Sequence, residues 1–409
     1  MTKTPKTEQT ANRGSLSVET RLSHLGRDLP KKGGRPVNPP IVRASTILFD
    51  TSESFLERGQ HRLELGYTTY GLRGTETQFA FEEVVANLEG GYGASTVPSG
   101  LAAITATMLA VLKSGDHTLV ADNVYQPTRA FCDRILTRYG IEITYYDPNI
   151  GADIDALVQS NTKLIFMESP GSLTFEVQDV PAIVEIAQKR EILTAIDNTW
   201  ATPLYFRPID LGVDVSIQAG TKYIVGHSDA LIGTITCRER DLHELVRDDM
   251  MRFGFAVSAE DAFLALRGLR SLEVRLQRHY ASGVAVASWL SERPEVARVF
   301  YPALPGDPGH ALWKRDFTGA SSLFGFELRP MPLEAAFEMI DNLELFGIGA
   351  SWGGFESLVQ PTRPARSRSA TRWDAEGPTV RLHIGLEAVD DLIADLGNGF
   401  DRLRRAASV

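Results

Sequence analysis

The strongest constraint on the fold is an alternation, from about residue 100 onward, between long periodic segments and short apolar runs. Residues 101–113 have the periodicity of a helix, which Lys113 and Gly115 are expected to end. Further helical segments lie near 127–139 and 180–190. The runs that predict buried strands are Thr118–Ala121, Ile141–Tyr146, Leu164–Met167 and Ile192–Ile196. This order of strands and helices predicts an α/β fold with a parallel sheet covered by helices on both faces.

The pattern of apolar and polar residues changes on either side of that region. The chain has 409 residues, enough for two or three domains. Ser258 and Asp261 resemble a capping box that opens a long helical region, and strand-like runs at 296–301 and 323–328 precede a final amphipathic helix near 387–405. We predict three parts: an N-terminal arm and intersubunit segment (1–73), the main α/β domain (74–266) and a smaller α+β C-terminal domain (267–409).

Charge and cysteine content exclude several classes of protein. The net charge of −10 argues against nucleic-acid binding, because non-specific affinity for phosphates comes from clustered Lys and Arg. We interpret the densest basic run as a solvated loop; it consists of Arg363, Arg366, Arg368 and Arg372. Cys132 and Cys237 form no CxxC motif, so the sequence predicts no disulfide framework or zinc site and favours the cytoplasm. No apolar stretch predicts export or membrane insertion.

Polar residues that directly follow buried strands are the first candidates for a site, since ligands of an α/β sheet bind outside the carboxyl ends of its strands. Asp197 follows the run Ile192–Ile196, and Lys222 lies 25 residues later, among small residues after another short apolar run. Taken alone, Asp197 is more typical of a helix cap or a turn, and Lys222 is more typical of an ordinary exposed lysine. Together they match what pyridoxal 5′-phosphate (PLP) requires, a carboxylate for the pyridine nitrogen and an amine for the imine.

A phosphate site is predicted at the start of the 101–113 helix. Pro98, Ser99 and Gly100 provide small residues there, and backbone N–H groups at a helix N-terminus bind anions. A plain Ser/Gly helix cap explains the same residues equally well when Lys222 and Asp197 are left aside.

With these residues in place, the chain resembles the Cys/Met-metabolism (transsulfuration) family of fold-type-I PLP enzymes, and within it the enteric-type cystathionine β-lyases. The resemblance runs from about Tyr70 to the final helix. The segments that carry it include Leu88-Glu89-Gly90-Gly91, Pro98-Ser99-Gly100, Tyr125-Gln126-Pro127-Thr128, Glu168-Ser169-Pro170-Gly171-Ser172, Asp197-Asn198-Thr199-Trp200, Thr221-Lys222-Tyr223, Ser351-Trp352-Gly353-Gly354 and Arg381-Leu382-His383-Ile384-Gly385. It implies a mostly parallel seven-stranded sheet, with 74–266 as the PLP-binding domain.

The resemblance also implies a role for each matching residue. Lys222 would form the imine, Asp197 would face the pyridinium nitrogen, and Tyr125 would stack on the cofactor. Arg381 would hold the substrate carboxylate with help from Ser351. The remaining implied roles are phosphate binding by the backbone of Gly100 and Leu101 and by the hydroxyl of Thr221, lining of the leaving-group pocket by Trp352, and contact with the neighbouring subunit's phosphate by Tyr70. Such sharing implies a homo-oligomer, a dimer of dimers, that acts on a small amino acid.

The sequence departs from the family pattern around Tyr70. Leu72 stands where a phosphate-binding Arg is expected, with Arg73 next to it, and Glu76 replaces a proline. Glu76 is interpreted as a surface residue or, less simply, as a contact for a cationic substrate tail. Ser172 stands where γ-acting members of the family carry Asn, which favours β-elimination.

The resulting expectation is a PLP-dependent carbon–sulfur β-lyase that releases a thiol, pyruvate and ammonia from cystathionine or a related amino acid. Two alternatives stay open at this point. One is γ-elimination from cystathionine, methionine or a basic analogue such as canavanine, and the other is a regulatory protein that keeps the fold without catalysis.

Overall fold

The structure is a computed structural model, and it describes residues 16–27 and 36–407. The predicted N-terminal arm therefore lies partly outside the described residues. The α-helices of the described residues are α1 (Val18–His24), α2 (Ser52–Glu57), α3 (Glu76–Glu89), α4 (Gly100–Val111), α5 (Gln126–Phe131), α6 (Val180–Lys189), α7 (Thr202–Tyr205), α8 (Arg240–Arg252), α9 (Ala259–Leu269), α10 (Leu272–Ser291), α11 (His310–Asp316), α12 (Leu333–Ile340) and α13 (Val389–Ala407). Short 3₁₀ turns occupy Gly71–Arg73, Thr137–Tyr139, Gly151–Leu157, Pro208–Leu211 and Pro364–Ser367.

Two sheets contain the strands. The larger one consists of β1 (Gly93–Val97), β2 (His117–Ala121), β3 (Glu142–Tyr146), β4 (Thr162–Glu168), β5 (Leu193–Asp197), β6 (Val215–Gln218) and β7 (Gly233–Cys237). The smaller one consists of β8 (Val296–Phe300), β9 (Leu323–Leu328), β10 (Gly347–Ile348), β11 (Leu358–Thr362) and β12 (Thr379–His383).

The larger sheet has seven strands in the order β1-β7-β6-β5-β4-β2-β3. Strand β7 runs antiparallel to both of its neighbours, and every other pair in the sheet is parallel. Helices α3, α4, α6 and α8 pack against this sheet. The prediction of an α/β fold built on a mostly parallel seven-stranded sheet is confirmed.

The smaller sheet has the order β10-β11-β12-β9-β8 and is antiparallel except between β10 and β11. Helix α10 packs on β8 and β9, and helix α12 packs on α13 and β11. This is the predicted C-terminal α+β part of the chain. A hydrogen bond from Trp200 Nε1 to the carbonyl oxygen of Leu323, 2.8 Å long, ties it to the larger sheet. The domain boundaries at residues 73/74 and 266/267 stay a prediction.

The segment expected as one helix near 127–139 differs from that prediction. Helix α5 ends at Phe131, a π-helical turn follows over Cys132–Leu136, and a 3₁₀ turn closes the segment. The Thr137 hydroxyl donates to the Asp133 carbonyl, 2.6 Å away, while the Thr137 amide turns to the carbonyl of Cys132. The side-chain bond to the helix backbone accompanies one widened turn here, and apolar periodicity does not report such a turn.

The basic run is the second difference. Arg368 is not solvated: its side chain is 5% exposed and forms a 2.5 Å ion pair with Glu176. Its guanidinium carbon also lies 5.4 Å from the ring centre of Trp373. Arg372, in contrast, is exposed as expected. The charge pattern alone could not separate the two, because burial of Arg368 depends on a carboxylate almost 200 positions away in sequence.

Within residues 16–27 and 36–407 no helix combines the length and the apolar composition that a membrane-spanning segment requires.

Candidate active site

A cavity of about 210 Å³ opens at the carboxyl edge of the parallel strands. Strands β4 and β5 end side by side there, with Glu168 opposite Asp197 in the register of the sheet. The loop between β6 and β7 brings Lys222 to the same cavity, and the smaller sheet contributes Arg381 from β12. The topology therefore gathers residues that are far apart in sequence at the edge where ligands of such sheets bind.

Lys222 lies on a tight turn in which its amide donates to the carbonyl of Ala219. Its Nζ donates to the Oγ of Ser351, 2.8 Å away. Burial, followed by the charge of Arg381, lowers the pKa of Lys222 to about 8, although the carboxylate of Asp197 acts in the opposite direction. A substantial fraction of this amine is therefore neutral near pH 8, and the neutral form is the one that attacks a carbonyl.

Asp197 is buried and held in one orientation by Thr199. Its Oδ1 accepts a 3.0 Å hydrogen bond from the Thr199 amide and a 2.5 Å hydrogen bond from the Thr199 hydroxyl. That hydroxyl in turn accepts from the amide of Ala219, 2.8 Å away, which links the end of β5 to the Lys222 turn. Burial raises the pKa of Asp197, whereas the hydrogen bonds from Thr199 and the charge of Lys222 lower it.

Glu168 is a second buried carboxyl group at this edge, and the sequence reasoning assigned no role to it. Its Oε2 accepts a 2.7 Å hydrogen bond from the backbone amide of Tyr125. Burial and the neighbouring Asp197 raise the pKa of Glu168 well above its ordinary value, while the hydrogen bond from the Tyr125 amide acts in the opposite direction. The sequence does contain a signal for Glu168. Like Asp197, it is the first polar residue after a short apolar run, in this case Leu164–Met167.

Tyr125 precedes helix α5 and lines the cavity with its ring. Burial raises the pKa of its phenol, and the charges of Glu168 and Asp197 add to this effect, while Arg381 opposes it. The phenol is therefore protonated throughout the physiological pH range.

The start of helix α4 forms another part of the wall. The Ser99 hydroxyl accepts from the amide of Ala102, 3.1 Å away, and caps the helix. Gly100 and Leu101 occupy the first turn, where backbone N–H groups have no partner within the helix. A Cβ on Gly100 would lie 2.4 Å from the Cβ of Ala219, so only glycine allows the helix to approach the Lys222 loop this closely.

Thr221 lines the cavity next to that helix start. Its hydroxyl accepts from the amide of Ile232, 2.9 Å away, and lies 3.2 Å from the carbonyl oxygen of the same residue. The side chain is therefore fixed against the strand that follows the loop.

Arg381 and Trp352 complete the cavity on the side of the smaller sheet. The guanidinium of Arg381 donates to the carbonyl of Ala350 at 2.8 Å and lies 3.2 Å from that of Ser351. Burial lowers the pKa of Arg381 to about 10, and the group stays cationic at neutral pH. The Nζ of Lys222 lies 5.3 Å from the ring centre of Trp352.

Nine of the ten predicted site residues therefore meet at this cavity, eight in its wall and Ser351 through its contact with Lys222. Tyr70 is the exception. It is 50% exposed, just before the turn Gly71–Arg73, and lies outside the cavity of its own chain.

The model of the family described as Cys/Met metabolism PLP-dependent enzyme matches residues 19–401. The chain is 48% identical to a putative cystathionine beta-lyase of Rhizobium johnstonii, over 94% of this chain and 96% of that protein. It is 46% identical to the cystathionine beta-lyase MetC of Escherichia coli, over 94% of this chain and 98% of that protein.

A solved structure agrees. The cystathionine gamma synthase of Xanthomonas oryzae pv. oryzae, in complex with aminoacrylate and cysteine, superposes with a TM-score of 0.86 at 31% identity, over 95% of this chain and 99% of that one. The chain belongs to the Cys/Met metabolism family of PLP-dependent enzymes. Its cofactor is therefore PLP, as the sequence predicted.

The residues of the cavity fit the cofactor of this family. An amine with a lowered pKa, a buried carboxylate and the N-terminus of a helix are the three groups that an aldehyde, a pyridine nitrogen and a phosphate require. The close approach of Gly100 to Ala219 brings the helix start next to the Lys222 turn, so that one small molecule can reach all three groups.

The residues that depart from the family pattern lie outside the cavity. Leu72 lines a small crevice that also contains Met250 and Phe255. The guanidinium of Arg73 lies 3.3 Å from the carbonyl oxygen of Arg62. Glu76 is exposed at the first residue of α3.

Proposed function

We propose that this enzyme is a cystathionine β-lyase, which cleaves the Cβ–S bond of L-cystathionine and, with one water, yields homocysteine, pyruvate and ammonia. The observation that carries the proposal is the amine of Lys222, held 2.8 Å from the Ser351 hydroxyl in the cavity that also contains Asp197 and Arg381. The names of relatives at 46% and 48% identity support the same reaction.

Bound PLP supplies a protonated ring that withdraws electrons from the substrate Cα. The proposed role of Asp197 is to keep the pyridine nitrogen protonated, since its carboxylate is buried and oriented by Thr199. Lys222 is proposed to remove the Cα proton and to return a proton later, because its lowered pKa makes the neutral amine available near neutral pH. Arg381 would bind the α-carboxylate with the N–H groups that the loop carbonyls do not use.

The same proposal assigns positions to the rest of the cofactor. The amides of Gly100 and Leu101 and the hydroxyl of Thr221 would bind the phosphate, and the ring of Tyr125 would lie over the pyridine. Trp352 would line the pocket of the departing sulfur group.

We further propose a dimer of dimers in the cytoplasm, in which Tyr70 completes the neighbouring subunit's site. Tyr70 is half-exposed and lies away from its own cavity. The described part of its segment also exposes apolar side chains that a partner subunit would cover: Val37, Ile41, Leu48, Phe55, Leu56 and Leu65.

Ser172 favours β-elimination over γ-elimination in this proposal. It lines the cavity at the position where γ-acting members of the family carry Asn. Leu72 and Glu76, which motivated the alternative with methionine or a basic analogue, lie outside the cavity of their own chain. No observation on the described residues favours that alternative.

Product analysis tests the proposal. The purified, PLP-loaded enzyme should convert L-cystathionine to pyruvate and homocysteine, whereas γ-elimination would give 2-oxobutanoate and cysteine. The Lys222→Ala variant should reduce pyruvate formation by at least about a thousandfold, because one amine both binds the cofactor and moves the proton. A wild-type protein that forms 2-oxobutanoate instead would disprove β-elimination. The regulatory alternative would be favoured if the protein kept its biological role without PLP.

A further inference from the structure

The loop Ala350–Gly354 is held by two side chains of a single strand. Arg381 and His383 are two positions apart on β12, so they project from the same face of the sheet. The Arg381 guanidinium donates to the carbonyl of Ala350, and the Nε2 of His383 lies 3.1 Å from the amide nitrogen of Gly353. The loop therefore has one anchor at each end.

Gly353 brings this loop onto the backbone that carries Lys222. Its φ angle is +86°, and a Cβ added there would lie 2.8 Å from the carbonyl carbon of Lys222 and 2.8 Å from the amide nitrogen of Tyr223. Two residues earlier in the same loop, Ser351 places its Oγ 2.8 Å from the Nζ of Lys222. The position of the loop relative to the Lys222 turn therefore sets the distance between the Ser351 hydroxyl and the Lys222 amine.

The contacts around His383 favour one of its two neutral tautomers. Its Nδ1 lies 3.3 Å from the Oγ of Ser322, whose own proton is directed to the carbonyl oxygen of Ile384, 2.5 Å away. We therefore assign the proton to Nδ1, which donates to Ser322, and this leaves Nε2 as an acceptor for the Gly353 amide. The carbonyl oxygen of Gly354, 3.2 Å from Nε2, would be bonded only in the other tautomer.

Burial supports a neutral ring, since it lowers the pKa of His383 well below the ordinary value, and the nearby His279 adds to the effect. Ser322, the hydrogen-bond partner of His383, also contacts the residue next to Lys222, because its amide donates to the Tyr223 hydroxyl at 3.2 Å. His383 itself is 1% exposed and does not line the cavity, so it cannot touch the substrate.

We propose that His383 is a positioning residue for substrate binding: by accepting the Gly353 amide it holds Ser351 and the carbonyl partners of Arg381 where an amino-acid carboxylate binds. This deepens the proposed function and rests on its assignment of Arg381 to the substrate carboxylate, but not on which bond is broken.

Two variants separate the acceptor from the rest of the side chain. The Oε1 of Gln reaches the place of Nε2, so His383→Gln keeps an acceptor for the Gly353 amide. His383→Asn is polar as well, but its side chain reaches only the place of Nδ1 and leaves the amide without a partner. The matched control is His117→Asn, since His117 is equally buried but lies at the amino end of β2, bonded to Thr162 and Thr144.

Amide exchange in the PLP-free protein is the first measurement. In His383→Asn, exchange of the loop 350–354 should be at least about tenfold faster than in the wild type, because a buried amide has lost its acceptor. His383→Gln should stay within about threefold, and His117→Asn should leave this loop unchanged. Equal exchange in the Asn and Gln variants would overturn the proposal.

Affinity is the second measurement, with propionate as a carboxylate probe that lacks an amino group. His383→Asn should weaken its binding to the PLP-loaded protein, observed by ligand-detected NMR, by about five- to tenfold, and His383→Gln should restore it. For an amino acid that the wild type turns over, KM should rise by a similar factor while kcat changes less. An unchanged KM together with a reduced kcat would contradict a role in substrate binding.

The third measurement needs no variant. The ¹⁵N shift of the His383 Nε2 distinguishes an unprotonated acceptor from an N–H group, and a protonated Nε2 in the wild type would overturn the proposal even if His383→Asn failed to fold. The outcomes are separable from those of the proposed function. A wild type that makes no pyruvate from cystathionine would end the β-lyase assignment, whereas the exchange, propionate and ¹⁵N results would still decide the role of His383.

Discussion

The amine of Lys222 is subject to three influences that do not agree in sign. Burial and the charge of Arg381 disfavour its protonated form, and Asp197 favours it. The balance lowers the pKa to about 8, which makes the residue usable as a nucleophile and base near neutral pH. Burial raises the pKa of Asp197, and the hydrogen bonds from Thr199 and the charge of Lys222 act against that rise. The charged forms of Lys222 and Asp197 therefore favour each other.

Cofactor capture should report this balance. The rate at which the PLP-free protein forms its absorbing imine band should rise with pH through about 8 rather than above 10, because the neutral amine is the reactive form. In Arg381→Gln the midpoint should move to higher pH, since a cationic neighbour that disfavours protonation has been removed. Stopped-flow absorbance of both proteins over pH 6–10 measures it, and a midpoint that moves to lower pH would contradict the assignment.

The departure at Leu72 leads to a second expectation. The guanidinium of Arg73 lies 3.3 Å from the carbonyl oxygen of Arg62, and we therefore expect that it does not replace the phosphate-binding Arg of the family. Leu72→Arg should therefore tighten PLP binding by about ten- to a hundredfold, the value of a charge-assisted contact. Arg73→Ala should change it by less than about threefold. Equilibrium dialysis of PLP measures both, and release of PLP by Arg73→Ala would show that Arg73 holds the phosphate after all.

Among the elements, the segment after the turn Pro364–Ser367 is held to the larger sheet by one carboxylate. Asp122, one residue beyond β2, accepts hydrogen bonds from the amides of Ser369, Ala370 and Thr371. The guanidinium of Arg129 donates to it as well, at 2.8 Å. Burial opposes the ionisation of Asp122, but these hydrogen bonds outweigh it and lower its pKa to about 2.

Asp122→Asn should loosen this segment. The native carboxylate contributes stability above its unfolded pKa of 3.8, which is lost as the pH falls through about 2. At pH 7 the loss should be about 2 kcal/mol, or about thirtyfold faster amide exchange over 363–376 relative to the wild type. The ratio of the two exchange rates should shrink between pH 4 and about 2.

The control lies in the same segment. Asp374 pairs with Arg372 at the surface, where both side chains are largely exposed, so Asp374→Asn should change exchange by less than about threefold. If both variants exchange alike, the segment is not held by Asp122.

Periodicity and strand-end polarity were sufficient to predict the parallel strands, Asp197 and Lys222, because these signals are local. The π-helical turn after α5 was not predictable in this way, since apolar periodicity does not distinguish a single π-helical turn from α-helical turns. The burial of Arg368 was missed because its partner Glu176 is distant in sequence. Arg381 and Ser351 came from the family resemblance alone, as no local pattern connects β12 with the ends of β4 and β5.

For the whole molecule, sharing of sites between subunits can be tested by mixing two inactive chains. If Tyr70 completes the neighbour's site, a hybrid of Tyr70→Ala and Lys222→Ala chains contains one intact site, built from Lys222 of one chain and Tyr70 of the other. Random mixing of equal amounts should then recover about a quarter of wild-type activity. Activity is measured after joint refolding, and light scattering checks the tetramer. Recovery no greater than the sum of the separate chains would remove Tyr70 from the neighbour's site.

The contact between Gly353 and the Lys222 backbone limits how this enzyme can be redesigned. Even an alanine at residue 353 would push the loop away from the lysine, so a library that varies this position to admit bulkier substrates should return almost only inactive clones. Diversity is better placed at Ser172 and Leu173, which line the cavity itself. Changes of substrate range in laboratory evolution should therefore accumulate at these two positions first.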